Sequence, residues 1–419
     1  MSSYEGSTLK INKIFTAFIF SFVLTGIVYG NSDSSSIWQK VTFAQREMQQ
    51  PFLKFMPQKY TLYQLDEQSL KNEMNRAVRG QDTKSQTIKI PMPNGDFIEL
   101  IISSYSVMAP ELAAKYPQIQ SYKANVIGRP SVHGVLNMDE LGFHGMLFME
   151  NGKRLFIDPR KSASGEIYYA SYYDSDYHPN SKSKPHCNVE AGNSSSAYPY
   201  SALAHSASTP AALGRSGATL KTYRLAMSTT GEYTTYFGGS VAQALSAVNT
   251  TIARVNQVYE RDLAVKLELV SNNDLLLYTN ATTDPFTDIT NNRQMLTENQ
   301  TSVDSVIGSA NYDIGHVITS DVGGGIAFLG VVCDSTYKAQ GMTGHFAPVN
   351  DPFDIDYVAH EIGHQFRGNH SFNATLDGCN REATAAWEIG NGVTIMGYAG
   401  ICNTSNDVSS NSIAMFHTG

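Results

Sequence analysis

The sequence predicts an α+β protein in which a β-rich N-terminal region precedes a domain of mixed helices and strands. Two hairpin signals mark the first region, and segments of helical and strand-like spacing alternate in the second. A stretch rich in Ser, Ala and Pro, with no periodic apolar spacing, separates them. A chain of 419 residues is long enough for two or three domains.

The composition is that of a globular protein. Apolar residues make up 42% of the chain and charged residues 16%, so a sizeable core can be buried. The net charge is −8, and no long run of Lys or Arg is present. A nucleic-acid backbone would find few counter-charges on such a protein, so we expect no nucleic-acid partner.

The N-terminus has the features of a secretory signal. Lys10 and Lys13 precede an apolar run over residues 14–29, which is shorter than the roughly 20 residues that a membrane-spanning helix needs. A small-residue exit at Gly30 and a polar segment follow. We predict a signal peptide over residues 1–30, a secreted product and no stable membrane insertion after cleavage. The alternative is an uncleaved membrane anchor.

Residues 31–192 are expected to form one β-rich region. Asn94-Gly95 and Asn151-Gly152 each stand between apolar runs. Asn-Gly pairs tolerate positive φ and are therefore strong signals for a tight β-hairpin.

A linker is predicted over residues 193–219, followed by a domain over residues 220–419. Apolar positions predict an amphipathic helix of about 20 residues from residue 241 and a second helix between residues 289 and 307. A third helix is expected over residues 355–366. Strands are predicted at KTYRLAMST, AVKLELV, NYDIGHVITS and GGGIAFLGVV.

The segment HEIGHQFRGNH carries the chemistry of the chain. Residues four apart on a helix share a face, so His360 and His364 can bind one metal ion. Glu361 can reach a water on the same ion. The helix must then stop so that His370 returns as the third ligand, and Gly368 is expected to supply that turn.

Three neutral imidazoles leave the fourth tetrahedral position of a zinc ion open, which is typical of a catalytic site. Zinc lowers the pKa of the water there towards 7, and Glu361 can take its proton. The alternative is that these histidines only line a polar helix face.

HEIGHQFRGNH, with TIMGY downstream, resembles the metzincin zinc peptidases. GGGIAFLGVVC and DPFDIDYVAHEIGHQFRGNHSF resemble the reprolysin-like (adamalysin-related) bacterial members, over residues 220–419 closely and over the N-terminal region loosely. The resemblance implies a mixed twisted sheet, two long helices and a zinc cleft, preceded by a β-rich propeptide. It also implies that His360, His364 and His370 ligate Zn²⁺ and that Glu361 is the general base.

The resemblance gives roles to three further positions. Met396 matches the Met-turn, which forms a hydrophobic floor under the zinc; the alternative is ordinary core. Tyr398 is a candidate for stabilising the oxyanion, or else a buried structural tyrosine. Arg367 stands where the family has glycine, and Gly368 is expected to take over much of the turn.

The segment GGGIAFLGVV is expected to form the edge strand above the zinc. In the family this edge pairs with an extended protein or peptide substrate, so that backbone hydrogen bonds supply affinity. The alternative is a plain turn and strand.

The four cysteines suggest two disulfides, with three possible connectivities. SKPHCNVEAG resembles a cysteine switch, in which Cys187 would occupy the zinc until the linker is cut; alternatively Cys187 forms a disulfide, for instance with Cys333. The resemblance suggests that Cys379 pairs with Cys402. It also predicts that the chain continues beyond residue 419.

These features together predict a secreted zinc metalloendopeptidase made as a latent zymogen. Two alternatives stay open: a catalytically inactive zinc-binding adhesion module, and a zinc hydrolase of a non-peptide substrate. The sequence does not specify the substrate sequence preference, the activating protease or the oligomeric state.

Overall fold

The computed structural model describes residues 37–42, 56–79, 87–177, 219–287, 292–375, 379, 381–400, 407–409 and 411–417. The predicted signal peptide, nearly all of the predicted linker, Cys187 and Cys402 lie outside these ranges. The signal peptide and the bounds of the four predicted segments therefore stay predictions.

The N-terminal region is a nine-stranded antiparallel sheet in the order β1-β2-β9-β8-β7-β6-β5-β4-β3. Its strands are β1 Trp38–Val41, β2 Thr61–Leu65, β3 Thr87–Pro91, β4 Phe97–Tyr105, β5 Gln120–Val126, β6 Arg129–Asp139, β7 Gly142–Phe148, β8 Arg154–Lys161 and β9 Ile167–Tyr173. Two helices accompany the sheet, α1 Glu67–Arg79 and α2 Pro110–Lys115. The β-rich prediction for this region is confirmed.

Both predicted hairpins are present in this sheet. Gly95 lies between the paired strands β3 and β4, and Gly152 lies between β7 and β8. Their φ angles are 95° and 77°, which is the left-handed conformation that glycine adopts without a steric cost.

The C-terminal domain contains a mixed five-stranded sheet in the order β11-β10-β12-β14-β13. Its strands are β10 Lys221–Thr229, β11 Val265–Leu269, β12 Ile314–Thr319, β13 Gly324–Ala327 and β14 Gly341–Gly344. The first four strands in this order are parallel, whereas β13 pairs with β14 in the antiparallel sense. β13 is the last strand of the order, so the predicted edge strand is an edge strand among the described residues.

β13 is shorter than the predicted strand GGGIAFLGVV, because the chain leaves the sheet after Ala327. The backbone N–H groups of Gly330 and Val331 donate to the carbonyls of His364 and Gln365, at 2.9 Å each. The second half of the segment therefore docks on the end of a helix instead of continuing along β14.

The helices of this domain are α3 Gly231–Tyr236, α4 Val241–Leu263, α5 Asn292–Val306 and α6 His360–Gln365. Three helices were predicted in this domain; α4, α5 and α6 lie at those places, whereas the short helix α3 was not predicted. A π-helical segment, Pro352–Ala359, leads directly into α6. The single α-helix predicted over residues 355–366 is therefore wrong in its first half, since apolar spacing does not distinguish a π-helix from an α-helix. Within the described ranges, no helix has the length and apolar character needed to cross a membrane.

Helix α4 lies between the two sheets. Every residue from 244 to 259 is buried, so the helix is covered on all sides. One apolar cluster contains residues of both parts of the chain, among them Met146 and Phe156 of the N-terminal sheet and Ile252 of α4. An amphipathic surface helix would keep a solvated polar face; here the N-terminal sheet covers that face.

Buried charges cross this interface. Arg254 of α4 donates to Asp158 of β8 at 2.6 Å and to Asp354 of the π-helical segment at 2.9 Å. Arg154 of β8 pairs with Asp351 at 2.7 Å. Removing one partner of a buried ion pair lowers the free energy of unfolding strongly, because the other charge stays buried without a counter-charge or water. These ion pairs tie the N-terminal sheet to the segment that precedes α6.

We expect Asp158→Asn to lower the free energy of unfolding of the full chain by about 3 kcal/mol, because it leaves Arg254 undercompensated. Burial by itself raises the pKa of Asp158, but Arg254 and a hydrogen bond from His144 outweigh it and lower the pKa. The stability that ionised Asp158 contributes is therefore fully present above the unfolded-state pKa of about 3.9, and it is lost progressively as the pH falls below that value. The difference between wild type and variant in urea unfolding should thus shrink below about pH 4.

The matched control is Glu150→Gln, which removes an exposed ion pair with Arg129 in the same region. Its unfolding midpoint should equal that of the wild type. Equal midpoints for both variants would contradict the role of Asp158 at the interface.

Candidate active site

The first two histidines of the motif are held on α6 with fixed ring orientations. His360 and His364 are 1% exposed each. The Nδ1 of His360 lies 2.6 Å from the carbonyl of Ile395, and the Nδ1 of His364 lies 2.7 Å from the carbonyl of Gly368. A carbonyl can only accept, so each Nδ1 carries the proton and each Nε2 presents a lone pair.

The turn after α6 returns the chain to the site. The N–H of Arg367 donates to His364 O and the N–H of Gly368 donates to Gly363 O, at 2.8 Å each. This pair of bonds is a Schellman motif, which requires a left-handed residue after the helix cap. Arg367 is that residue, with a φ of 78°.

Gly368 therefore does not supply the turn, as the sequence analysis expected, because Gly368 does not have a positive φ. Glycine is needed there for another reason: a Cβ would lie 3.0 Å from the carbonyl oxygen of Gly363 and 3.4 Å from the sulfur of Met396. The glycine allows the turn to lie close against the helix and the methionine.

His370 follows this turn and completes a cluster of three imidazoles. The Nε2 of His370 lies 3.3 Å from the Nε2 of His360 and 3.2 Å from that of His364, and the latter two atoms are 3.0 Å apart. Two lone pairs cannot form a hydrogen bond with each other. The arrangement instead fits a metal ion, because two ligands of a tetrahedral zinc are about 3.3 Å apart.

Burial keeps these imidazoles neutral. It lowers the pKa of His360 to about 4 and that of His364 to about 3, and it lowers the pKa of His370 well below its ordinary value. Neutral imidazole is the form that binds metal ions. Among the described residues, these three form a group of His, Cys, Asp or Glu side chains placed to share one ion.

Glu361 lies on α6 beside the first ligand and is fully buried. Strand β13 passes directly over it: a Cβ on Gly325 would overlap the Cγ and Oε1 of Glu361. The glycine-rich start of this strand therefore allows the edge of the sheet to contact the carboxylate that neighbours the metal ligands.

Met396 and Tyr398 pack around the three histidines. The sulfur of Met396 would be 2.7 Å from a Cβ on Gly363, so the methionine lies against the backbone of α6. The ring centre of Tyr398 lies 4.6 Å from that of His370. These positions are compatible with the predicted Met-turn and oxyanion roles, which stay predictions.

The far side of α6 is anchored to the sheet by Gln365 and His316. The Nδ1 of His316 on β12 lies 2.9 Å from Oε1 of Gln365, and the amide of Gln365 donates to Gly315 O at 2.8 Å. A Cβ on Gly341 of β14 would overlap both side chains. The ligand helix is thus fixed against two strands.

Glu388 is a residue that the sequence analysis missed. It is 8% exposed, and its carboxylate accepts hydrogen bonds from Ser371 and from Thr394, which flank the third ligand and the Met396 segment. Burial by itself raises the pKa of Glu388, but these hydrogen bonds outweigh it and lower the pKa. No spacing rule links position 388 to the motif, so only the fold could reveal it.

Two of the four cysteines, Cys333 and Cys379, lie among the described residues. Cys333 carries a free thiol, and Cys187 lies outside the described residues. Cys379 is disulfide-bonded, and its partner is not among the described residues. The pairing with Cys402 and the switch role of Cys187 therefore stay predictions.

A buried cluster of three imidazoles, next to a glutamate and beneath a sheet edge, defines a metallopeptidase type of site. Residues 219–419 match the sequence profile of the reprolysin-like metallopeptidases, family M12B. The match supports a reprolysin-like metzincin over this part of the chain, and a metallopeptidase in general terms. No curated protein matches the chain significantly.

We expect Gly325→Ala to lower peptidase kcat by about 10²-fold, because the new methyl group displaces the Glu361 carboxylate. Zinc affinity should be unchanged, since the three ligands are untouched. Steady-state kinetics and a zinc titration would measure both quantities. Ile326→Val on the same strand is the control, and full activity of Gly325→Ala would contradict the close contact with Glu361.

Arg367→Gly should raise the free energy of unfolding by about 1 kcal/mol, because glycine adopts the left-handed conformation without strain. Gly368→Ala should do the opposite, since its Cβ would press on Gly363. Urea unfolding of the metal-free proteins measures both effects. A destabilised Arg367→Gly variant would mean that contacts of the arginine side chain outweigh its backbone strain.

Proposed function

We propose that the chain is a secreted zinc metalloendopeptidase that is made as a latent zymogen and uses Glu361 as general base. The observation that carries the proposal is the convergence of the Nε2 atoms of His360, His364 and His370. Both helical imidazoles have their Nδ1 protons committed to carbonyls, so the lone pairs face one point. Zinc is the metal that such a set of three histidines and an open position favours.

His360, His364 and His370 would hold the zinc ion, which would supply Lewis-acid chemistry at the scissile carbonyl and at a water. The Glu361 carboxylate would accept the proton of the attacking water and pass it to the leaving amine. Its burial beneath β13 excludes bulk solvent from this transfer. Tyr398, packed against His370, is a candidate donor to the developing oxyanion.

Strand β13 offers a place for the substrate. It is the outermost strand of its sheet among the described residues, and it passes over Glu361. An extended peptide that adds to this edge would bring a backbone carbonyl to the site whatever its side chains. This supports a protein or peptide substrate and does not define a sequence preference.

Arg367 does not argue for an inactive module. The arginine accepts the left-handed conformation at a cost of about 1 kcal/mol or somewhat more. This is small beside the roughly 10 kcal/mol or more that structural zinc binding supplies. The three histidines converge around the turn in spite of the substitution.

The proposal is tested by peptidase assays on the purified chain before and after limited proteolysis of residues 193–219. We expect activity to rise on cleavage, to disappear with a zinc chelator, and to fall by about 10²–10⁴-fold in Glu361→Gln, which should still bind zinc. Cys187→Ser should be active before cleavage if its thiolate maintains latency.

Two outcomes would contradict the proposal. One equivalent of zinc with no peptidase activity in any form would favour the adhesion module. Equal activity before and after cleavage would contradict the latent zymogen but would still support the peptidase.

A further inference from the structure

The third ligand, His370, and Met396 both lie in loops. Contacts between these loops must therefore fix their relative position. Ser371 directly follows His370, and its N–H donates to Met396 O at 3.1 Å. Thr394 directly precedes Ile395, whose carbonyl orients His360. These two loops therefore carry one metal ligand and the orienting group of another.

Glu388 joins the two loops through one carboxylate. Its Oε1 accepts from the hydroxyls of Ser371 and Thr394, and its Oε2 accepts from the N–H groups of Val393 at 2.7 Å and Thr394 at 2.9 Å. Its own N–H donates to Ser371 O at 2.7 Å. Hydrogen bonds to a carboxylate are about twice as strong as neutral ones, and burial strengthens them further.

We propose that Glu388 is a positioning residue for the metal centre, one that fixes His370 through Ser371 and His360 through the Thr394–Ile395 backbone. The inference rests on the proposed zinc site and adds to it a residue that does not itself touch the metal. A side chain that only stabilised the loops would not need to contact the residues next to the metal ligands. Glu388 instead contacts the residue next to the third ligand and the residue next to the carbonyl that orients the first.

The test is the zinc affinity of Glu388→Ala, measured by competition with a chromogenic chelator. Residues that orient metal ligands typically change metal affinity by about 10–100-fold, and we expect a loss in that range. The visible spectrum of the Co²⁺-substituted variant should also change, since it reports ligand geometry. The melting temperature of the metal-free protein serves as the measure of fold stability.

Glu388→Gln provides the second variant in case the alanine protein does not fold. Glutamine keeps the size and can still accept from the two N–H groups, while its amide donates to the two hydroxyls. It should recover most of the zinc affinity lost in Glu388→Ala. The matched control is Glu382→Ala in the same segment. Among the described residues, the Glu382 carboxylate accepts hydrogen bonds from Thr384 in its own turn, so this variant should leave affinity and spectrum unchanged.

The proposal would be overturned if Glu388→Ala lowered the melting temperature but left the zinc affinity and the cobalt spectrum unchanged. Glu388 would then only stabilise the two loops. Equal losses in the glutamine and alanine variants would also count against it. Because the readout is metal binding, it is independent of peptidase activity. If the proposed function is wrong, the wild-type protein would bind zinc but would not hydrolyse peptides.

Discussion

The turn at Arg367 is the constraint on which the metal centre depends. Two histidines four apart on a helix cannot be joined by a third on the same helix, so the chain must leave the helix and return. The Schellman bonds of Arg367 and Gly368 end α6 within one turn of His364. The same turn places the carbonyl of Gly368 where it holds the proton of His364 Nδ1. One local structure thus ends the helix, redirects the chain and sets a tautomer.

Three imidazole nitrogens held close together in a buried space, two of them with their lone pairs directed at one point, are an unfavourable arrangement without a cation. The protein maintains this arrangement by fixing α6 on several sides. Gln365 bonds to the sheet through His316, β13 lies over Glu361, and Met396 packs against Gly363. Glu388 holds the loops that complete the site. Because these contacts organise the ligands in advance, metal binding and the stability of this region are coupled.

The N-terminal sheet also helps to position helix α6, through buried ion pairs to α4 and to the segment that precedes α6. Its Asp158 and Arg154 hold Arg254 and Asp351, and the segment containing Asp351 runs into the helix that carries His360. The face that α4 presents to this sheet includes polar residues such as Asn249 and Glu260.

Much of the organisation of the chain could be predicted from local patterns. The hairpins at Gly95 and Gly152, helices α4 and α5, and strands β10, β11 and β12 follow from turn residues and apolar periodicity, which act over a few residues. The first two histidines of the motif were found in the same way, because their spacing matches one helical face, and Glu361 lies beside the first of them. His370 was found from the turn expected after the helix. Strand β14 and helix α3 were not predicted. The π-helical segment and the short β13 were missed, since both depend on contacts with distant groups.

What the sequence determined by itself is the type of site: the ligand residues, their helix and the neighbouring carboxylate all lie within eleven consecutive positions. What only the tertiary structure decided is how that site is held. Arg367 rather than Gly368 adopts the left-handed conformation because the hydrogen bonds at the helix end fix the position of the turn. Glu388 and Asp158 gained their roles because folding brought distant segments together, and burial made their hydrogen bonds and charges decisive.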